Sequence, residues 1–299
     1  MMKRLRFPNA APEPDIRTLE FDDVPLLRLT RTSEIEDALA ALEAMPGRSV
    51  WCPDSLEYVL ASPWRHRPEI VNLSNLAAIR HTEALIRASA DRSRELGDAL
   101  TLVLDLDEER PAGFYRRAEL DLIERILTYE LRRSSSHERE QVDYTLRFVR
   151  AHPDEPEQLA ALIDVDQQAF PWLWWNSTEE FFHYADQPGV EIYLGFDGDR
   201  AVSYCGFTLF RGWAHLDRIA VLPNMQRRGL GRATLAFTVN EVFQRQVDRI
   251  GLSTQEQNIR SRKLYEGFGF RRSPGYDYGL HGIAHRDPAF ELISGTTPH

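Results

Sequence analysis

The sequence predicts an α/β (α+β) protein of two tandem domains, each a mixed, mostly antiparallel sheet flanked by helices. Three observations lead there. A readable order of strands and helices occupies the second half of the chain, a fainter copy of that order precedes it, and a polar, serine-rich stretch separates the two.

Taken in order, residues 1–14 ("MMKRLRFPNAAPEP") lack an apolar run of signal-peptide length and predict a loose tail. A first domain is expected over 15–131. Residues 132–142 ("RRSSSHEREQV") carry no helix or strand periodicity and predict a linker. The second domain, 143–299, opens with a strand pattern, "YTLRFVRAH" (144–152), and a helical one, "EPEQLAALIDVDQQAF" (155–170). Ser177 stands three residues before Glu180, a capping box that starts a short helix. The run 190–222 reads as strand, Asp-Gly turn, strand, turn, strand. Residues 231–246 are helical, "DRIGLSTQ" (248–255) is a strand, and "RSRKLYEGFGF" (260–270) a helix.

The copy is seen when the segment from Asp98 is laid over that from Asp248 without a gap. Asp98, Leu102, Arg110 and Tyr115 then meet Asp248, Leu252, Arg260 and Tyr265, and a shift of about one residue later pairs Tyr129 with Tyr278. The halves are chemically unequal. Of 17 glycines only Gly47, Gly97 and Gly113 precede the linker, so close backbone approach to a ligand belongs to the second half.

A net charge of −10 argues against general nucleic-acid binding, which needs a concentrated basic surface. No run approaches ~18 apolar residues, so no membrane-spanning helix is expected. Cys52 and Cys205 form no metal or redox spacing and fit reduced thiols of a cytoplasmic protein; no metal is expected.

The densest chemical signal is "NMQRRGLGRAT" (224–234), a turn between strand and helix. A helix start presents unpaired N–H groups and the positive end of its dipole, a ready site for phosphate. Gly229 and Gly231 remove side chains where such a ligand would lie, and Arg227, Arg228 and Arg232 add charge at the rim. The spacing Gln226-x-x-Gly-x-Gly lacks the Gly-Lys-Ser/Thr ending of a Walker loop and the three glycines of a dinucleotide fingerprint. A diphosphate ligand fits without the chemistry of either.

In its order of motifs the second half resembles the GNAT acetyltransferase superfamily. "LDRIAVLPNMQRRGLGRAT" matches the strand, Val-x-Pro and glycine turn of that family, and Asn258, Tyr265 and "GFGF" follow in the family's order. The resemblance spans about 144–280; for the first half it rests on the internal copy. The tandem plan, with one degenerate half, is similar to that of mycothiol synthase. The resemblance implies acetyl-CoA as co-substrate and direct transfer of its acetyl group to a primary amine of a small molecule or peptide N-terminus. Backbone groups of Ile219, Ala220 and Val221 would pair with the pantetheine arm. The turn Gln226, Arg227, Arg228, Gly229, Leu230, Gly231 and Arg232 would hold the pyrophosphate, and Asn258 the cofactor near the splay between strands.

The amine, of intrinsic pKa ~10.4, must lose a proton before it attacks. The oxyanion needs a donor, by the resemblance a strand amide near Val221. The CoA thiolate, of pKa roughly 8.5, leaves more easily when protonated. Tyr265 is the family's acid for that last step; as an aromatic it also suits a packing position, as its copy Tyr115 does. His215 and Asp217 point to one face of their strand, so either is a candidate base, with Asp217 otherwise orienting His215 or binding the cationic amine.

"AFPWLWWNSTEEFF" (169–182) lies where the family builds its acceptor site. Phe170, Trp172, Trp174, Trp175 and Glu179 would wall an organic cation or peptide amine, or the same aromatics pack the halves together. "AFPW" is similar to the ribosomal-protein alanine acetyltransferases, which carry a Glu where this chain has Ser253. A non-catalytic acyl-CoA-binding or regulatory protein is the alternative reading. Both a monomer with pseudo-dimeric halves and a homodimer fit.

Overall fold

The computed structural model describes residues 13–106, 113–133 and 146–286. All but Glu13, Pro14, Arg132 and Arg133 of the expected tail and linker lies outside these residues, as does Arg110 of the internal copy. The first half contains β1 (Arg17–Thr18), α1 (Thr32–Ala44), β2 (Val50–Cys52), β3 (Glu57–Trp64), β4 (Arg67–Ala77), α2 (Thr82–Glu95), β5 (Leu100–Asp105), α3 (Phe114–Arg117) and β6 (Asp121–Arg132). The second contains β7 (Arg147–Arg150), α4 (Pro156–Ala169), α5 (Thr178–Asp186), β8 (Val190–Asp197), β9 (Arg200–Phe210), β10 (Trp213–Val221), α6 (Leu230–Gln244), β11 (Arg249–Gln255), α7 (Ile259–Phe268), β12 (Arg271–Arg272) and β13 (Tyr278–Ala284).

The mixed α/β architecture is the expected one, and its two sheets run on as one. The order is β1-β2-β3-β4-β5-β13-β6-β11-β10-β9-β8-β7, with β12 beside β6. Among the described residues only β4/β5 and β10/β11 pair in parallel. These two pairs are the corresponding strands of the halves, each joined by a crossover helix (α2 or α6), as parallel neighbours require.

The halves exchange their last strands. β6, from the first half, pairs with β11 from Arg132↔Arg249 to Ile126↔Gln255. β13, from the second, pairs with β5 from Gly279↔Asp105 to Ala284↔Leu100. Leu127, Tyr129 and Leu131 of β6 thereby enter the core beneath α6 and α7, with Leu235, Val239 and Tyr265. Burial of each such side chain stabilises by about 1.5–3 kcal/mol, so each half's core depends on the other's strand. Gly282 permits the insertion of β13: a Cβ there would lie 2.6 Å from Ile123 Cδ1 and 2.7 Å from the Thr101 carbonyl oxygen.

A second seam forms on the α4–α5 face. Trp64, Ile126, Leu173, Trp174 and Leu280 pack together from both halves. The two-residue turn between β3 and β4, Arg65 and His66, has φ of 52° at both positions, the hairpin geometry that matches strand twist. Its side chains are held by the second half: Arg65 Nη1 donates to Asn176 Oδ1 at 2.7 Å, and His66 Nδ1 lies 2.8 Å from Glu180 Oε2. Half of the expected capping box forms, with Ser177 Oγ accepting from Glu180 N at 3.0 Å. The Glu180 carboxylate serves the seam.

Candidate active site

The site is built where β10 and β11 part. Their parallel ladder runs from Trp213↔Arg249 to Leu216↔Leu252 and stops, while β10 continues to Val221 paired with β9 alone. One backbone edge of Ile219, Ala220 and Val221 thus has no strand partner inside the sheet. A bulge at Asp217, between Leu216↔Phe207 and Arg218↔Gly206, marks the start of the splay. It turns two successive side chains toward the same layer: Asp217 reaches Tyr184 of α5, and Arg218 reaches Asp166 of α4.

His215 and Asp217 form a dyad, Nδ1 to Oδ1 at 2.7 Å. Asp217 Oδ2 accepts from Tyr184 Oη at 2.6 Å and Thr208 Oγ1 at 2.7 Å. A carboxylate so bound accepts the imidazole Nδ1–H, which fixes the tautomer and leaves Nε2 to take a proton. Burial, and then the charge of Asp217, raise the Tyr184 phenol well above its ordinary value, so it stays a donor. Thr208 was legible in principle. A two-residue hairpin turn at Arg211–Gly212 sets it opposite His215.

Beneath the dyad lies a buried ion pair absent from the expectations. Arg218 Nη2 donates to Asp166 Oδ2 and, at 2.9 Å, to the Trp174 carbonyl oxygen; Tyr204 Oη also donates to Asp166 Oδ2. Asp166 Oδ1 accepts from Asn176 N at 2.9 Å.

The turn from Gln226 to Arg232 closes the open end of β10. Gly229 has φ of 82° and caps α6, and nothing lies within 4 Å of where its Cβ would be. Arg227 also has positive φ, at 63°. Arg227, Arg228, Gly229 and Arg232 are exposed, whereas Leu230 is buried and anchors the helix start. A Cβ on Gly231 would make ordinary contacts, 3.6 Å to Leu264 Cδ2. Gln226 ties the turn down: Nε2 donates to the Val221 carbonyl oxygen at 3.0 Å, and Oε1 accepts from Arg260 Nη1. Asn258 caps α7 by accepting from Ser261 N at 3.1 Å through Oδ1. Tyr265, one further turn along α7, is 5% exposed beside Tyr129 and Phe270. Burial raises its phenol, which therefore stays protonated.

The aromatic segment divides. Phe170 lies under the Arg218 guanidinium at 3.8 Å, and Trp172 under that of Arg67 at 4.4 Å. Trp174 is buried edge-on to Trp64, and its Nε1 donates to Glu124 Oε2 at 2.7 Å. Trp175 Nε1 donates to the Phe170 carbonyl oxygen at 2.7 Å. Glu179 is exposed on α5. Phe170 and Trp174 thus join β10 through Arg218, Trp172 and Trp174 face the first half, and Glu179 stands apart. Cys205 is buried, and burial pushes its thiol up to about 12, leaving it inert.

The first half repeats the strand pair but not the cradle. Residues 78–81 alone join β4 to α2, where 222–229 join β10 to α6. The N–H groups of Ile79, Arg80 and His81 donate to the Glu57 carboxylate at 2.9, 2.8 and 2.9 Å, so the chain's own anion fills that turn. Burial alone would raise the Glu57 carboxyl; the three N–H groups together hold it below the usual range. Glu57→Ala is expected to cost about 1–3 kcal/mol by stranding these donors, read as a lowered urea midpoint. The loss should shrink as pH falls through the depressed pKa, where the wild-type carboxylate is itself protonated.

Among the described residues no group of three or more His, Cys, Asp or Glu is placed to hold a metal, and no helix is long and apolar enough to cross a membrane.

Comparison with known proteins places this geometry. The profile of the Acetyltransferase (GNAT) family matches residues 151–270. The chain is 32% identical over 117 residues to a [Ribosomal protein bS18]-alanine N-acetyltransferase of Salmonella typhimurium, covering 76% of that protein and 38% of this chain. The Escherichia coli protein of that name is 31% identical over 122 residues, with 78% of it and 40% of this chain covered. Among solved structures, a tandem GNAT protein from the clavulanic acid biosynthesis pathway aligns over 92% of this chain and 99% of its own, at 13% identity and a TM-score of 0.55. A GCN5-related N-acetyltransferase from Kribbella flavida aligns over 93% of this chain and 73% of its own, at 12% identity and a TM-score of 0.64. These two likenesses concern the fold, and they extend it across both halves.

Proposed function

The chain belongs to the GNAT acetyltransferase family and is an N-acetyltransferase, and on that premise we propose that its second half transfers acetyl from acetyl-CoA directly to a primary amine of a small molecule or a peptide N-terminus. The observation that carries the reading is a strand edge without a strand partner, ending in an unblocked glycine turn at a helix start, with an oriented His–Asp dyad on the same strand.

The cofactor fits these residues. Gly229 leaves space at the start of a 15-residue helix, where N–H groups and the exposed Arg227, Arg228 and Arg232 would meet a pyrophosphate. Ile219 and Val221 offer backbone to an extended arm, and the Asn258 amide nitrogen is left over from its cap. Bound there, acetyl-CoA supplies an acetyl group activated as a thioester. His215, held by Asp217, receives the proton that the amine nitrogen loses as it attacks. A strand amide near Val221 would serve as the oxyanion donor. Tyr265, kept protonated by burial, supplies the acid. The bS18-alanine relatives support the peptide end of the acceptor class.

Calorimetric titration with acetyl-CoA tests the reading. One site per chain is expected, since Glu57 fills the first half's turn. Gly229→Val, which blocks the cradle and strains a residue at φ of 82°, should weaken binding at least ~100-fold. No binding to the wild type would sink the proposal, and two sites would reassign the first half. Turnover lost in His215→Ala by ~10²-fold or more separates an enzyme from a protein that only binds acyl-CoA.

A further inference from the structure

Glu124 is a titratable group that the chemistry above does not use. It lies on β6, the strand given to the second half by the first. On β6, Leu127, Tyr129 and Leu131 face the core under α6 and α7, so Glu124, Ile126 and Thr128 face the other layer. Ile126 packs there against Leu173 and Trp174. Cross-strand partners share a face, and the ladder pairs Thr128 with Ser253, and Gly251 with both Glu130 and His215. His215, Ser253 and Glu124 are therefore on one face of the sheet. Followed further along, the same registers bring Glu124 level with Ile219–Val221, across the splay, six residues beyond Glu130, or about 20 Å at the strand rise.

Trp174 spans the gap. Its carbonyl oxygen accepts from Arg218 of β10, and its Nε1 donates to Glu124 Oε2 at 2.7 Å. Tyr278 of β13, which pairs with Ile126, lies between, near Ser253, Glu124 and Arg65. The other carboxylates of this layer are satisfied. Asp166 has Arg218, Glu180 has His66 and Arg65, and Asp217 has His215. Glu124 is set in an apolar wall and, among the described residues, has no cationic partner. Burial raises its carboxyl to about 7. An unpaired carboxylate in such surroundings is costly unless something brings a cation to it.

We propose that Glu124 receives the ammonium of the acceptor, so that the first half supplies an acceptor-recognising residue to the second half's site. The proposal rests on the acetyltransferase reading. The ammonium's proton passes to the carboxylate: an O–H bond forms, an N–H bond breaks, and its electron pair stays on nitrogen as the nucleophile. The second proton, lost as the N–C bond forms, balances the one the departing thiolate takes up as the acetyl–sulfur bond breaks. Trp174 and Tyr278 wall the amine's apolar stem, and Ser253 leaves the room that a longer side chain on β11 would fill.

The test compares two isosteres, phenethylammonium and 2-phenylethanol, titrated by calorimetry at pH 8 into wild type and Glu124→Gln, each saturated with CoA. The wild type should prefer the amine by about 10-fold or more, equivalent to 1.4 kcal/mol. Glu124→Gln should reduce that preference to within about 2-fold, with CoA affinity unchanged. A preference that survives in Glu124→Gln, or is absent from the wild type, overturns the proposal. If CoA itself fails to bind the wild type, the cofactor reading falls, and the same pair of ligands on the unliganded proteins decides the role of Glu124 by the same criterion.

Discussion

Replacing Asp166 by alanine is expected to destabilise the protein by about 3–5 kcal/mol, the largest effect of any single substitution considered. Asp166 is fully buried and accepts from Arg218, Tyr204 and the Asn176 backbone. Its loss strands the Arg218 guanidinium, 7% exposed, in the interior. It also removes the charge that stands near two arginines. Burial, and then the charge of Arg218, lower Arg65 to about 10, with Glu180 and Asp166 opposing. Without Asp166 the two guanidinium groups face each other less screened. The seam through Asn176 should loosen with the core, because Arg65 of the first half donates to Asn176 Oδ1. Urea unfolding reads the loss. Removing both charges together, as Asp166→Leu with Arg218→Met, should restore most of it, since apolar residues of similar volume often equal a buried ion pair. A single mutant within 1 kcal/mol of wild type, on the order of a surface change, would show that water reaches Arg218.

Glu124→Gln should stabilise the protein at pH 8, by about 2–3 kcal/mol, while it removes amine recognition. The folded-state carboxyl titrates at about 7 against an ordinary 4.5, because burial disfavours the charged form. Between those values the native state holds a proton that the unfolded state has released. Stability from this group therefore falls as pH rises through that window and stays low above it. Glutamine keeps an acceptor for Trp174 Nε1 and carries no charge to desolvate. The two proteins should unfold alike near pH 4.5 and diverge toward pH 8. Equal stability at both ends of that range would mean that Glu124 is solvated. A gain in stability coupled to a loss of function is the signature of a group retained for its chemistry.

Much of the second half was legible from short-range signals. The alternation on β10, the Asp-Gly turn, the Ser177 cap and the glycine turn each act within a few residues, and each is where the sequence put it. The pairing of His215 with Asp217 followed from strand alternation alone, because two positions on one face are fixed by the pleat. Asp166 and Glu124 were not legible, and Glu180 was legible as a cap residue but not as a seam residue. As isolated acidic residues on a helix or a strand, Asp166 and Glu124 look like solvated faces. Their partners are remote in sequence: Arg218 for Asp166, His66 for Glu180 and Trp174 for Glu124.

The sequence by itself determined the family, the order of elements, the glycine turn before α6 and the shared face of His215 and Asp217, since all of these are written in local periodicity and motif. Only the tertiary structure decided the exchange of β6 and β13, the filling of the first half's turn by Glu57, and the placing of Trp174 between Arg218 and Glu124. The reason is register. A strand's hydrophobic pattern says that it will pair and which face it will bury, but two similar halves offer equivalent neighbours, and the choice between them is made by packing across the whole sheet.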